Sequence, residues 1–220
     1  VSTDKIILKH NDINDCFDDE ALQFTEPTII AGTGAAAAGL FGKLPDNLYK
    51  IALNGAIVEA ANWNLWMCTT DEARIQDDYW KRGLELGVPS LMHAVMARIH
   101  VHDGGERRLR KLPSPTYTCT TRSMMKGILE PGTREFEAGA SVAGACAGML
   151  IRAGVKHIRL FGIDMTGTTH CDGTNTWITE GDVWKPRRYW FGQLIEEAAK
   201  YGVRFDSYTP TALDVPIVRL

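Results

Sequence analysis

The sequence predicts an α/β fold, a single domain built on a doubly wound, mostly parallel sheet. Three observations carry that prediction. Short apolar runs at residues 28–31, 49–54, 62–71 and 157–164 each stop at a glycine turn, an amide or a carboxylate. Segments of helical character alternate with them over most of the chain, the pattern of strands joined by right-handed crossovers. Finally, residues 139–172 read as a helix, a buried strand and a polar loop in immediate succession. In open α/β sheets ligands lie outside the carboxyl ends of the strands, so the residues that close those runs are the candidate site.

Residues 1–27 are acidic and irregular, with Asp18, Asp19 and Glu20 close to Cys16 and Phe17, and read as a leader segment lying on the surface. Their Asp-x-Asn-like spacing lacks the glycine and terminal glutamate of a calcium loop. The domain itself is expected over 28–220. Thr28, Ile29, Ile30 and Ala31 form its first strand, Gly32-Thr33-Gly34 a tight turn, and Ala35 to Ala38 a helix start. Glycines let a phosphate approach the backbone N–H groups at such a turn, where the helix dipole also favours negative charge. Ala37 supplies only the tolerated form of the third glycine in a dinucleotide fingerprint, and no P-loop lysine follows.

The second run, 49–54, ends on Asn54, and the third, 62–71, ends on Asp71. Residues 72–90 are helical in character and close with Gly87-Val88-Pro89; Arg98 to Val101 is a further strand candidate. Residues 104–131 form a variable insertion, with turn signals at Gly104-Gly105 and Pro113-Ser114-Pro115 and a strand over 116–121. The basic stretch from Arg107 to Lys111 is too short to indicate a polyanion partner and reads as a solvated face. His93, His100 and His102 read as structural or surface residues.

In the organising stretch Val142, Ala145, Cys146, Met149, Leu150 and Ala153 share one helix face, while Ala143, Gly144, Ala147 and Gly148 leave the opposite face thin enough for close packing. Ser141 is the N-cap and Gly154 the residue just past the end. The strand that follows stops at Asp164 and leads into a loop from Thr166 to Asp172. Residues 189–201 give an amphipathic helix with Phe191, Leu194, Ile195 and Ala198 on one side, closed by Gly202 and followed by a last strand over 203–207.

The totals exclude several classes. With 220 residues, 45% hydrophobic and 23% charged, the chain is long enough for one full core. A net charge of −3 gives no hint of nucleic acid. Five scattered cysteines, Cys16, Cys68, Cys119, Cys146 and Cys171, contain no Cys-x-x-Cys pair and support neither a disulfide framework nor a zinc ribbon. With no apolar window of about 18 residues and no signal-peptide pattern at the N-terminus, a cytoplasmic protein without a membrane span is expected. A homo-oligomer is compatible with the chain.

The segments TIIAGTGAAAAGL, KIALN and GASVAGACAGMLIRAGVKHIRLFGIDM together resemble two related groups that share a modified Rossmann-like fold. One comprises bacterial lipooligosaccharide sialyltransferases. The other comprises motility accessory factors and hydroxymethylpterin pyrophosphokinase-like proteins, with phage and environmental members. The resemblance covers roughly residues 28–71 and 139–213. It implies that Gly32, Thr33, Gly34 and Asn54 hold a nucleotide, with a hydroxyl near Ser141 at the opening of the long helix. Where the sialyltransferases carry two tyrosines that stabilise the departing phosphate, this sequence has Thr166 and Asp172; where they carry a catalytic histidine, it has Lys185, and the nearest histidine is His170. The accessory-factor group commonly closes its third strand with an acidic residue, as Asp71 does here.

The chemistry expected is a nucleotide-linked transfer of a sugar or a diphosphoryl group from a nucleotide or nucleotide-sugar donor to an unidentified acceptor. Asp164, His170 and Asp172 are the catalytic candidates, with His170 as general base. Asp71 and Asp164 are the candidates for Mg²⁺, which favours oxygen ligands and often takes one or two carboxylates plus substrate phosphates. Trp177, Trp184, Tyr189 and Trp190 are candidates for stacking on a base or sugar, and Lys185, Arg187 and Arg188 for neutralising phosphate. Zinc on His170-Cys171-Asp172 is disfavoured because adjacent residues rarely reach one ion, and a Cys171 nucleophile has no identifiable base. The competing class is a non-catalytic nucleotide- or glycan-binding accessory protein. A nicotinamide oxidoreductase ranks third, since Asn54 stands where an acidic residue would bind the ribose.

Overall fold

The computed structural model describes residues 11–68, 77–93, 116–122, 135–137, 141–167, 169–173 and 184–220. Among them nine strands form one sheet: β1 (Asn11–Asp12), β2 (Thr28–Ala31), β3 (Lys50–Leu53), β4 (Leu65–Cys68), β5 (Ser90–His93), β6 (Tyr117–Arg122), β7 (Glu135–Glu137), β8 (His157–Phe161) and β9 (Arg204–Ser207). The α-helices are α1 (Asp77–Leu86), α2 (Val142–Arg152) and α3 (Trp184–Ala199). Strand order is β1-β6-β5-β4-β3-β2-β8-β9, with β7 also beside β6. Every strand pair is parallel. This is the predicted α/β Rossmann-like arrangement in one domain.

The order explains where a site belongs. From β2 the chain steps outward through β3, β4 and β5 to β6, then returns to place β8 and β9 on the other side of β2. The direction of winding therefore reverses between β2 and β8, and a crevice opens at the carboxyl ends of strands at such a switch point.

Both faces of the sheet are covered, which is why its strands read as continuous apolar runs. Ile30, Ile51, Leu53, Leu65, Met67, Ile158 and Leu160 pack with α2 and α3 on one face. Ile29, Ala31, Ala52, Trp66, Cys68 and Phe161 pack on the other, against Phe41, Ala56, Ile57, and Tyr79 and Leu86 of α1. The Ser141 hydroxyl caps α2 by accepting the Gly144 N–H at 3.0 Å, and Gly154 follows the helix at φ +88°. Both of the faces read on this helix are buried.

Strand β9 is joined to β8 by charge as well as by backbone. Arg159 holds both oxygens of Asp206, Nη2 reaching Oδ2 at 2.8 Å, and its Nη1 donates to the Tyr208 hydroxyl at 2.8 Å. His157 shares Asp206 through Nε2 at 2.7 Å, while Arg204 donates to its Nδ1 at 2.9 Å. Because an arginine is a donor only, this imidazole carries its proton on Nε2.

Several expectations are corrected. Residues 11–27 are no surface leader: Asn11 and Asp12 pair with Tyr117 and Thr118, and Ile13 and Leu22 are fully buried in the core. Their scattered apolar residues lack periodicity because the segment packs as two 3-10 turns rather than as a helix or a long strand. Residues 104–131 contain β6, an internal member of the sheet between β5 and β1. Gly87, at φ +64°, and Pro89 close α1 as read, and Ser90 to His93 beyond them form β5, a strand the sequence reading did not mark. The alanines after the glycine turn make only a 3-10 turn, Ala35–Ala37, before Gly39 takes φ +69°. Finally, α3 begins at Trp184, five residues before the segment read as helical. Asp71, Trp177, His100, His102 and Arg98 to Val101 lie outside the described residues.

Candidate functional site at the switch point

The carboxyl ends of β3, β2 and β8 lie side by side and deliver Asn54, the Gly32-Thr33-Gly34 turn, and the Gly162 to Asp164 turn to one edge of the sheet. The ladder between β2 and β8 continues past the strands. Gly32 N–H donates to the Phe161 carbonyl and Gly34 N–H to the Gly162 carbonyl, both at 2.8 Å. Gly162, at φ +62°, makes the bend, and its own N–H goes to the buried Thr209 hydroxyl at 2.9 Å. The late Thr209-Pro210 segment thus braces the site from behind, and Ala212 N–H adds a bond to the Asp164 carbonyl at 3.0 Å.

Asp164 faces the glycine turn. A Cβ on Gly34 would lie 2.6 Å from the Asp164 carboxyl, so glycine is required there to admit this side chain. Burial pushes the Asp164 carboxyl above its usual range, and the backbone N–H groups of Asp164 itself, Ala35, Met165 and Ala36 oppose that shift by favouring the carboxylate. Of the amides expected to cradle a phosphate, those of Gly32 and Gly34 therefore already have carbonyl acceptors within the protein. With a 3-10 turn in place of a helix, the dipole invoked for that cradle is missing too.

Thr33 and His170 come together across 137 residues of sequence, with Thr33 Oγ1 2.8 Å from His170 Nδ1. Two backbone contacts hold the pair: Cys171 N–H donates to the Thr33 carbonyl at 2.8 Å, and Gly34 bridges His170 in antiparallel fashion. The methyl of Thr33 turns the other way, 3.5 Å from where a Gly55 Cβ would sit. The Tyr79 hydroxyl occupies the same spot, 2.7 Å from that position. Tyr79 and Gly55 are site residues that sequence reasoning missed. The glycine directly after Asn54 was the one available signal.

Asn54 is held left-handed at φ +47°, and its carbonyl accepts the Trp66 indole N–H at 2.8 Å. Its side-chain Oδ1 is buried and has no hydrogen-bond partner among the described residues. Asparagine tolerates this backbone region better than most residues, but an unsatisfied buried acceptor costs about 1–3 kcal/mol.

The remaining candidates have other partners or lie on the surrounding loop. Ser141 is occupied as the cap of α2, whose start lies toward the carboxyl edge because its end feeds the opening of β8. Thr166 and Asp172 are exposed on the loop, and Asp71 lies outside the described residues. Burial, with the charges of Glu59 and Asp172 and a hydrogen bond to Glu59, pushes the Cys171 thiol up to about 12, so it is no nucleophile. Trp184 donates to the Gly167 carbonyl at 2.9 Å and Arg188 to the Met165 carbonyl at 3.0 Å, so the start of α3 pins the loop. Arg187 lies over the Trp184 ring at 5.1 Å. Among the described residues no group of three His, Cys, Asp or Glu is placed to hold a metal, and no helix is long and apolar enough to cross a membrane. In comparisons with known proteins, the chain matches no family model and no curated protein.

Proposed function

We propose that the crevice between β3, β2 and β8 binds a nucleotide or nucleotide sugar and that the protein transfers its glycosyl or diphosphoryl part to an acceptor. The observation that carries this reading is the buried, unpartnered Oδ1 of Asn54 beside the Thr33–His170 pair at the switch point. A buried acceptor without a donor is costly in the free protein and is satisfied by a ligand that brings an N–H or O–H. The likeness of the glycine turn, Asn54 and the α2–β8 segment to the sialyltransferase and accessory-factor groups supports the same ligand class. A small-molecule donor and acceptor, a cytoplasmic setting and no nucleic-acid partner belong to this proposal.

Mg²⁺ at Asp164 would compete with the backbone N–H groups of Asp164 itself, Ala35, Met165 and Ala36, which favour the carboxylate. No step is assigned to it. The use of the glycine-turn amides within the protein favours a second reading, a non-catalytic protein that retains the pocket.

Thermal unfolding against cytidine and adenosine nucleotides and nucleotide sugars, with and without Mg²⁺, tests the proposal. A ligand at 100 times its Kd stabilises the fold by about 2.7 kcal/mol. The expected result is a shift with at least one nucleotide, and release of transferred product then separates the two readings. No shift with any member of the panel overturns the transferase reading and favours the non-catalytic one.

A further inference from the structure

We infer that His170 serves as a neutral hydrogen-bond donor to an anionic ligand oxygen through Nε2–H, and that Thr33 is the positioning residue that fixes this tautomer. The identity of the anion as a nucleotide phosphate rests on the function proposed above; the tautomer does not.

The argument begins with the Thr33 hydroxyl. Its one side-chain partner among the described residues is His170 Nδ1, at 2.8 Å. If Nδ1 carried the proton, the imidazole would donate and the hydroxyl hydrogen of Thr33 would have no acceptor among the described residues, leaving it to solvent. If Nδ1 carries the lone pair, the hydroxyl donates and both atoms are satisfied. The proton then sits on Nε2. The same reasoning holds with less freedom at His157, where Arg204 can only donate to Nδ1.

A neutral ring in this form has no basic nitrogen left for a substrate, because Nδ1 is engaged by Thr33. The general-base role expected for His170 is therefore replaced by a donor role. Its Nε2–H has no partner among the described residues, and the ring is half-buried. Among the neighbouring carboxylates, Asp164 lies against the Gly34 turn and Glu59 bears on the Cys171 thiol. Asp172 is exposed beside them. With the amides of Gly32 and Gly34 already engaged by carbonyls, Nε2–H is a side-chain donor that this edge offers to a phosphate oxygen. A fixed neutral donor aimed where charge sits is a recurrent device for anion recognition and transition-state stabilisation.

Two-bond proton–nitrogen correlation spectra of the ¹⁵N-histidine-labelled protein, recorded with the rings neutral, read the tautomer directly. His170 is identified by its loss in His170→Gln. Expected are an Nε2–H signature in the parent, the same signature in Thr33→Ser, and a mixture of tautomers in Thr33→Val. Inorganic pyrophosphate should move the His170 Nε2 resonance and bind about tenfold more weakly to Thr33→Val than to Thr33→Ser, the loss of roughly one hydrogen bond. An Nδ1–H signature in the parent, an unchanged tautomer in Thr33→Val, or a ring unmoved by bound pyrophosphate each overturns the inference. Nucleotide-induced thermal stabilisation accompanied by an Nδ1–H ring sinks this inference and leaves the nucleotide reading standing. Pyrophosphate contact at an Nε2–H ring without any nucleotide response does the reverse.

Discussion

Asn54 sets a contest between stability and function that one substitution decides. The residue is held at φ +47° with a buried, unpartnered Oδ1, two features that each weaken the fold. Glycine adopts that backbone freely and removes the orphan oxygen, at a cost in unfolded-chain entropy of about 0.5–1 kcal/mol. Asn54→Gly is therefore expected to leave stability unchanged or raise it by about 1 kcal/mol, and to abolish nucleotide-induced thermal stabilisation. A destabilised variant that still responds to nucleotide would show that the amide serves the fold alone. Thr33 shows a related economy, since its hydroxyl engages His170 while its methyl lies toward Gly55 and the Tyr79 ring. Neither contact is visible to a reader of the local sequence, where Thr33 is merely the middle of a glycine turn.

Two aspartates, each near the end of a strand, titrate with opposite sign at the scale of elements. For Asp206, burial would raise the carboxyl, but hydrogen bonds from Arg159 and His157 and the Arg159 charge outweigh it and hold it below the usual range. A depressed carboxyl contributes stability above its unfolded value, about 3.9, and loses it as pH falls through the lower folded value. Asp164 is raised by burial, so its folded value lies above the unfolded one, and the stability linked to it is present in acid and lost as pH rises through the folded value. Urea denaturation from pH 3 to 7 should separate them. Asp206→Asn is expected to cost about 3 kcal/mol at neutral pH, where it strands Arg159, and progressively less in acid. Asp164→Asn should change in the opposite direction, gaining on the parent protein as pH rises. Parallel pH curves for the two variants would show that neither carboxyl is coupled as the contacts indicate.

For the whole molecule, the reversal of winding at β2 and β8 confines the candidate site to one end of the sheet. Hydrogen exchange checks that placement. A bound nucleotide should slow amide exchange at residues 54–58 and 169–173, and leave β5 and β9 unchanged. Protection centred on the β6 side would move the site away from the switch point. Among the described residues α1, α2, α3 and the 3-10 turns cover both sheet faces, so neither face is open to a ligand there.

What the sequence by itself determined is local. The runs that became β2, β3, β4, β8 and β9 are legible because burial on both faces selects apolar residues at consecutive positions. The spacing from Val142 to Ala153 and the cap at Ser141 mark α2, since helix period and capping are short-range properties. Asn54 and Asp164 could be marked as strand-end residues for the same reason. Tertiary structure alone decided what those ends do. Parallel pairing joins residues far apart in sequence, so no local pattern shows that Asn11 pairs with Tyr117, or that Ser90 to His93 lie between Trp66 and Tyr117. The meeting of Thr33 with His170, and of Asp164 with the amides of Ala35 and Ala36, follows from strand order at the switch point. That order gives the Gly32 and Gly34 amides carbonyl acceptors and sets the Thr33 hydroxyl against His170, because a hydrogen-bonding group is defined by the partner that reaches it.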